Sequence, residues 1–213
     1  MFTDRKDAGR QLAGRLEGYR GKKALVLAIP RGGIVVAQEI AKSIGADLDL
    51  IISRKIGAPS DPEFAIGAVG PDRSFVVDKK IVAELGISKE YVERTARIEA
   101  IEIDRRMMRY RSSREPPSAR GRTVIVVDDG IATGHTMKTI VDFLRGQRPK
   151  RIVVAVPVAP RESVAELERD ADEVVCLEMP RGFTAIGNHY ESFPQVGDDE
   201  VVNIMGKHGK QRG

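Results

Sequence analysis

Two adjacent carboxylates, Asp128 and Asp129, stand between an apolar run and a turn of small and hydroxylated residues. The segment from Thr123 to Thr136 reads T-V-I-V-V-D-D-G-I-A-T-G-H-T. A buried strand that opens through such a turn directly into a helix aims backbone N–H groups at the turn, and the Thr133 and Thr136 hydroxyls add to them. That is a cradle for a monophosphate, and Gly130 and Gly134 supply donors without bulk. Two carboxylates do not serve the same phosphate. They suit neighbouring hydroxyls or a hydrated cation, so a sugar phosphate with a vicinal diol satisfies both halves. Two other nucleotide sites fail on spacing: only three residues separate Gly130 from Gly134, with His135 where a P-loop has lysine, and no G-x-G-x-x-G follows the first strand.

The elements that must position this turn follow from periodicity. Lys23 to Ile29 reads as a buried strand broken by Pro30-Arg31-Gly32-Gly33. A helix follows with Val36, Ile40 and Ile44 on one face and Gly45 as its stop. Leu48 to Ser53 is a second strand. Residues 54–70, rich in Gly, Pro, Ser and Asp, read as a long loop that folds back as a hairpin near Ala65 to Val69. Residues 88–111 read as one amphipathic helix, N-capped by Ser88, whose stripe from Val92 to Tyr110 is core or dimer surface. Further strands are expected at Thr123 to Val127, Ile152 to Val156 and Glu173 to Leu177, with helices after Gly134 and from about Pro160. Strands alternating with helices predict an α/β fold with a mostly parallel, doubly wound sheet. Ligands then bind beyond the carboxyl ends of the strands, which singles out residues 30–33, 54–70 and 128–136.

Composition narrows the class. The chain has 213 residues, 41 % hydrophobic and 31 % charged, which at about 150 residues per domain predicts one domain over 1–213. The single Cys176 excludes an internal disulfide, and a charged start, MFTDRKDAGR, lacks the apolar stretch of a secretory signal. A cytoplasmic protein with no membrane partner is expected. His135, His189 and His208 show no ligand spacing and no cysteine pair accompanies them, so no dedicated metal cage is expected. The net charge of +4 is too mild to imply nucleic acid, although residues 104–122 hold seven arginines.

Residues 124–136 resemble the phosphoribosyl pyrophosphate (PRPP) motif of type I phosphoribosyltransferases: a hydrophobic strand, two acidic residues and a T-G-x-T turn. Ile29 to Gly33 resembles that family's pyrophosphate loop, and Ser53 to Gly57 the strand end before its flexible catalytic loop. The chain is similar to a branch without an assigned acceptor. The resemblance implies a sheet of the type I kind with a helical insertion at about 78–111 and a small C-terminal hood at about 178–205. It also implies Mg²⁺-dependent transfer of a phosphoribosyl group from PRPP to a nitrogenous base or amine, with pyrophosphate leaving. Asp128 and Asp129 would then hold the ribose hydroxyls directly or through Mg²⁺. Ala132, Thr133, Gly134, His135 and Thr136 would hold the 5-phosphate, and Arg31, Gly32 and Gly33 the pyrophosphate. Arg54 and Lys55 would neutralise charge on the leaving group, and Phe183, Asn188 and His189 would meet the acceptor. A homodimer is compatible with this reading. The competing reading is a nucleotide-sensing regulator that binds RNA or DNA through residues 105–122. Ala132 occupies the turn position where enzymes for 6-oxopurines commonly carry Asp, which resembles the adenine-enzyme pattern.

Overall fold

The inner strands are apolar from end to end because helices cover both faces of their sheet. The computed structural model describes residues 1–62, 64–111 and 115–210. In chain order the elements begin α1 (Arg5–Arg15), β1 (Leu25–Ala28), α2 (Gly33–Ile44), β2 (Asp47–Leu50), β3 (Arg54–Gly57), β4 (Ala65–Val69) and β5 (Phe75–Val77). They continue α3 (Lys79–Glu84), α4 (Lys89–Arg111), β6 (Thr123–Val127), α5 (His135–Gly146), β7 (Arg151–Val158), α6 (Arg161–Leu167), β8 (Glu173–Glu178) and α7 (Asp198–Lys210).

The main sheet has five parallel strands in the order β2-β1-β6-β7-β8. Alternation along each strand divides the core in two. Val26, Ala28, Ile125, Val127, Val153 and Ala155 pack with α1, α2, α4 and α7. Leu25, Leu27, Val124, Val126, Ile152 and Val154 pack with α5 and α6. Strand order reverses between β1 and β6, so the turns that leave these two strands, residues 30–33 and 128–136, open into one crevice.

Residues 54–70 fold back at Ala65–Val69 as expected, but their first residues, Arg54–Gly57, form a strand where a loop was expected. β3, β4 and β5 form a second, antiparallel sheet, with Ile56, Ile66 and Val69 buried against α4. Two glycines stand in its strands where neighbours come too close for a side chain. A Cβ on Gly57 would meet the Pro62 carbonyl at 2.4 Å, and one on Gly67 the Val76 carbonyl at 2.3 Å. Helix α4 begins as expected, the Ser88 Oγ accepting the Tyr91 N–H at 3.2 Å. Its stripe Val92, Ala96, Ala100, Ile103 and Tyr110 is core.

The arginines of 105–122 are largely engaged within the chain. Arg105 and Arg106 pair with Glu102, Arg109 with Asp198, and Arg111 with the buried Asp49 at 2.6 Å. Arg122 caps the Lys23 and Ala24 carbonyls and pairs with Asp47. Arg114 lies outside the described residues. The nucleic-acid reading gains no support from this arrangement.

Candidate active site

β6 ends at Val127 and delivers the two carboxylates into very different surroundings. Asp129 is 9 % exposed, and its Oδ2 accepts a 2.7 Å bond from Nε of Arg5, on helix α1. The Arg5 guanidinium lies 3.7 Å from the centre of the Phe193 ring, and its Nη1 donates to the Pro194 carbonyl at 2.7 Å. The Tyr190 hydroxyl donates to the Asp129 carbonyl at 2.6 Å. Burial, and then the Asp129 charge, push the Tyr190 phenol far above its ordinary value, so it stays a donor. Asp128 has no arginine clamp among the described residues. Its Oδ1 accepts the Asp129 N–H at 2.8 Å, and part of the residue remains accessible.

Glycines let the loops close on this pair. A Cβ on Gly32 would stand 1.8 Å from the Asp129 Oδ2, and one on Gly33 would stand 2.8 Å from the Val127 carbonyl. Gly130 makes room for Ile186, whose Cγ2 lies 2.6 Å from where its Cβ would be. Beyond Gly130 the turn rises to the surface: Ala132, Thr133, His135 and Thr136 are exposed. Gly134 has φ 78°, a left-handed conformation that favours glycine, and no side chain caps the start of α5. The N–H groups of that first turn therefore point outward, as a phosphate cradle requires. The Ser163 hydroxyl donates to the Ala132 carbonyl at 3.2 Å and steadies the turn from α6.

Across the crevice, the loop after β1 contains a cis peptide between Pro30 and Arg31. A cavity of about 380 Å³ lies beside it, lined by Arg5, Arg31, Gly32, Phe193, Gln195 and Val196. Arg31 reaches Asp198 at 3.7 Å. Arg54 and Lys55 do not line this cavity. Arg54 Nε pairs with Glu99 of α4 at 2.5 Å, and Lys55 is exposed on the face of β3 opposite Ile56. In the segment after β8, Phe183 and His189 stack on each other with ring centres 5.6 Å apart. Asn188 Nδ2 donates to the Thr184 hydroxyl at 2.8 Å, and His189 Nδ1 lies 3.5 Å from Glu178.

A family model described as the phosphoribosyl transferase domain matches residues 3–191. The chain belongs to this family. The crystal structure of TT1426 from Thermus thermophilus is 41 % identical, covers 96 % of this chain and 97 % of its own, and superposes with a TM-score of 0.83. Two curated proteins of Mycobacterium tuberculosis, from strains CDC 1551 / Oshkosh and H37Rv, are named "Putative phosphoribosyl transferase". Each is 43 % identical over 205 residues, 96 % of this chain but 46 % of the relative. This chain thus spans about half the length of those relatives. No helix among the described residues is long and apolar enough to cross a membrane.

In this phosphoribosyl transferase domain, sequence reasoning missed Arg5, Tyr190 as a hydrogen-bond donor and Phe193 as a cation's platform. Asp4 carried the one local signal for α1: its side chain accepts the Asp7 N–H at 2.7 Å as an N-cap. The contact between Arg5 and Asp129 spans 124 positions and has no local trace.

The unequal carboxylates have a measurable consequence. Burial, then the Asp129 charge, raise the Asp128 carboxyl well above the ordinary value, and the Asp129 N–H bond opposes them. An acid that holds its proton more tightly when folded contributes stability that is complete below its unfolded value of about 3.9, and loses it as pH rises through the folded value. Asp128→Asn keeps the Oδ1 acceptor and carries no charge. Without ligand, its melting temperature should exceed wild type at pH 8, by a margin that shrinks toward pH 4. A margin independent of pH, read by calorimetry, would remove Asp128 as the source.

Proposed function

We propose that this domain binds PRPP and transfers its phosphoribosyl group to a nitrogenous base or amine. One observation carries the reading: the Asp128–Asp129 pair, the uncapped start of α5 and the Arg31–Gly32–Gly33 loop meet in one crevice. Each part suits one part of PRPP. The first turn of α5, with the Thr133 and Thr136 hydroxyls, suits the 5-phosphate. Asp128 suits the ribose hydroxyls as acceptor, while Asp129 faces Arg5. Arg31 and the N–H groups of Gly32 and Gly33 suit the pyrophosphate.

In the reaction the C1–O bond breaks and its electron pair leaves with pyrophosphate. The acceptor nitrogen supplies the pair for the new C1–N bond and gives up its proton to solvent or a neighbouring acceptor. Positive charge builds on the ribose ring as the bond opens, and Asp128, on the ribose hydroxyls, is the carboxylate nearest that charge in this reading. Binding all three parts in one crevice also removes most of the orientational freedom of the sugar phosphate. Among the described residues no group of three or more His, Cys, Asp or Glu is placed to hold a metal. Asp128, a carboxylate that stays partly accessible in the crevice, would hold Mg²⁺ through one oxygen, with substrate oxygens and water completing its shell. When bound, Mg²⁺ supplies neutralisation of the diphosphate charge.

The test is turnover of PRPP with Mg²⁺ against purines, pyrimidines and small amines, followed by product mass and pyrophosphate release. In parallel, PRPP at 100 times its Kd should stabilise the protein by about 2.7 kcal/mol, or about 5–10 °C for a chain of this size. An unshifted melting temperature at saturating PRPP would overturn the reading. Asp128→Asn is the suitable binding-deficient control, because Asp129→Ala strands Arg5 as a buried unpaired charge at a cost of about 3–5 kcal/mol.

A further inference from the structure

We propose that Arg5, from the N-terminal helix, is a residue that takes the charge of the diphosphate, from a cavity that Arg54 and Lys55 do not line. The proposal rests on the PRPP reading above and adds the group that grips the leaving half of the substrate.

Arg5 is 7 % exposed, and two of its three guanidinium nitrogens are committed inward: Nε to Asp129 and Nη1 to the Pro194 carbonyl. Nη2 takes no partner among the described residues. Arg5 lines the cavity beside Gly32, with Arg31 on the same wall. Phe193 supports the guanidinium face at 3.7 Å and holds its plane. The side chain is thus fixed on two edges and a face and offers its third edge to the cavity.

Arg31 is only loosely paired, at 3.7 Å from Asp198. Two guanidinium groups on one small cavity repel unless an anion lies between them. The missing Cβ of Gly32 and the uncapped start of α2 add backbone N–H donors there. An arginine suits this position better than a lysine, because one planar fork can hold Asp129 and an anion at once. Arg54, by contrast, is engaged by Glu99 of α4.

The experiment compares two probes by calorimetry on the full chain: inorganic pyrophosphate for the Arg5 cavity and ribose 5-phosphate for the α5 cradle. Arg5→Lys should weaken pyrophosphate at least tenfold, leave ribose 5-phosphate within twofold of wild type, and raise the KM for PRPP more than it lowers kcat. Should Arg5→Lys fail to fold, the comparison passes to Asp129→Asn against Arg5→Met/Asp129→Asn, in which the buried pair is removed together. There the double variant should lose the pyrophosphate affinity that Asp129→Asn retains. Equal pyrophosphate binding with and without Arg5 overturns the proposal, as does wild type that binds ribose 5-phosphate but no pyrophosphate. Wild type that binds neither probe overturns the PRPP reading itself.

Discussion

Gly32→Ala is expected to collapse the site, although the backbone there suits any residue. Gly32 has φ −60° and ψ −39°, ordinary helical values at the start of α2, so alanine meets no conformational strain. The effect comes from contact alone. The new Cβ would stand 1.8 Å from Asp129 Oδ2, 2.5 Å from its Cγ and 3.0 Å from Arg5 Nε. The carboxylate cannot swing aside without leaving Arg5, which Phe193 and the Pro194 carbonyl hold in place. Separating a buried ion pair costs about 3–5 kcal/mol. At about 2–4 °C per kcal/mol the melting temperature should fall by roughly 6–20 °C, with PRPP binding lost as well. Gly14 of α1, exposed with nothing within 4 Å of its Cβ position, is the control. Gly14→Ala should gain up to about 1 kcal/mol from helix propensity. A Gly32→Ala protein that melts within a degree of wild type would show that Asp129 is not pinned against the loop.

The part of this arrangement that was legible in advance is the part whose physics is local. β1, β6 and β7 are short apolar runs bounded by turn residues, and α2, α4 and α5 carry a 3.6-residue apolar repeat. Those features alone bring 30–33 and 128–136 to the same end of a parallel sheet. Helix α1 was not legible, because its burial depends on α2 and on Asp129 far along the chain while its own composition is polar. Helix α7, which follows the aromatic hood segment, was hidden for a similar reason. Its first turn is Asp198-Asp199-Glu200, and Tyr110, Arg109 and Arg31 all converge on Asp198 from elsewhere. Strand β3 was obscured by Gly57, whose role is close approach rather than flexibility. Arg54 illustrates the limit for a site residue. Both members of this basic strand-end pair read alike in the sequence, and only the fold shows that Glu99, 45 positions later, holds Arg54.

Hypoxanthine and guanine are expected to be poor acceptors, with kcat/KM about 10²–10⁴-fold below that of a purine or amine that needs no base from the turn, the range that a positioned general base contributes. The expectation starts at Ala132. This exposed residue opens the phosphate turn, and its carbonyl accepts from Ser163. A methyl group neither takes nor gives a proton. Of the two hood groups that could replace it, His189 is already engaged and Glu191 stands on a fixed, exposed stretch of backbone. His189 is stacked on Phe183 and directed at Glu178, 3.5 Å from Nδ1. Glu191 is exposed, and its N–H is tied to the Phe2 carbonyl at 2.8 Å, which fixes its backbone in the pairing between the hood and the N-terminal segment. Every purine loses a ring N–H proton as the C1–N bond forms, so the distinction rests on the turn itself: 6-oxopurine enzymes of this family commonly place an aspartate at this position to take that proton, and Ala132 offers none. Ala132→Asp should restore part of the deficit for hypoxanthine while leaving ribose 5-phosphate affinity within a few-fold, because the cradle N–H groups belong to the backbone. Competition between hypoxanthine and adenine for limiting PRPP, read by product mass, makes the comparison in one vessel. Efficient formation of inosine or guanosine monophosphate by the wild-type protein would show that another group already does the work assigned to an aspartate at position 132.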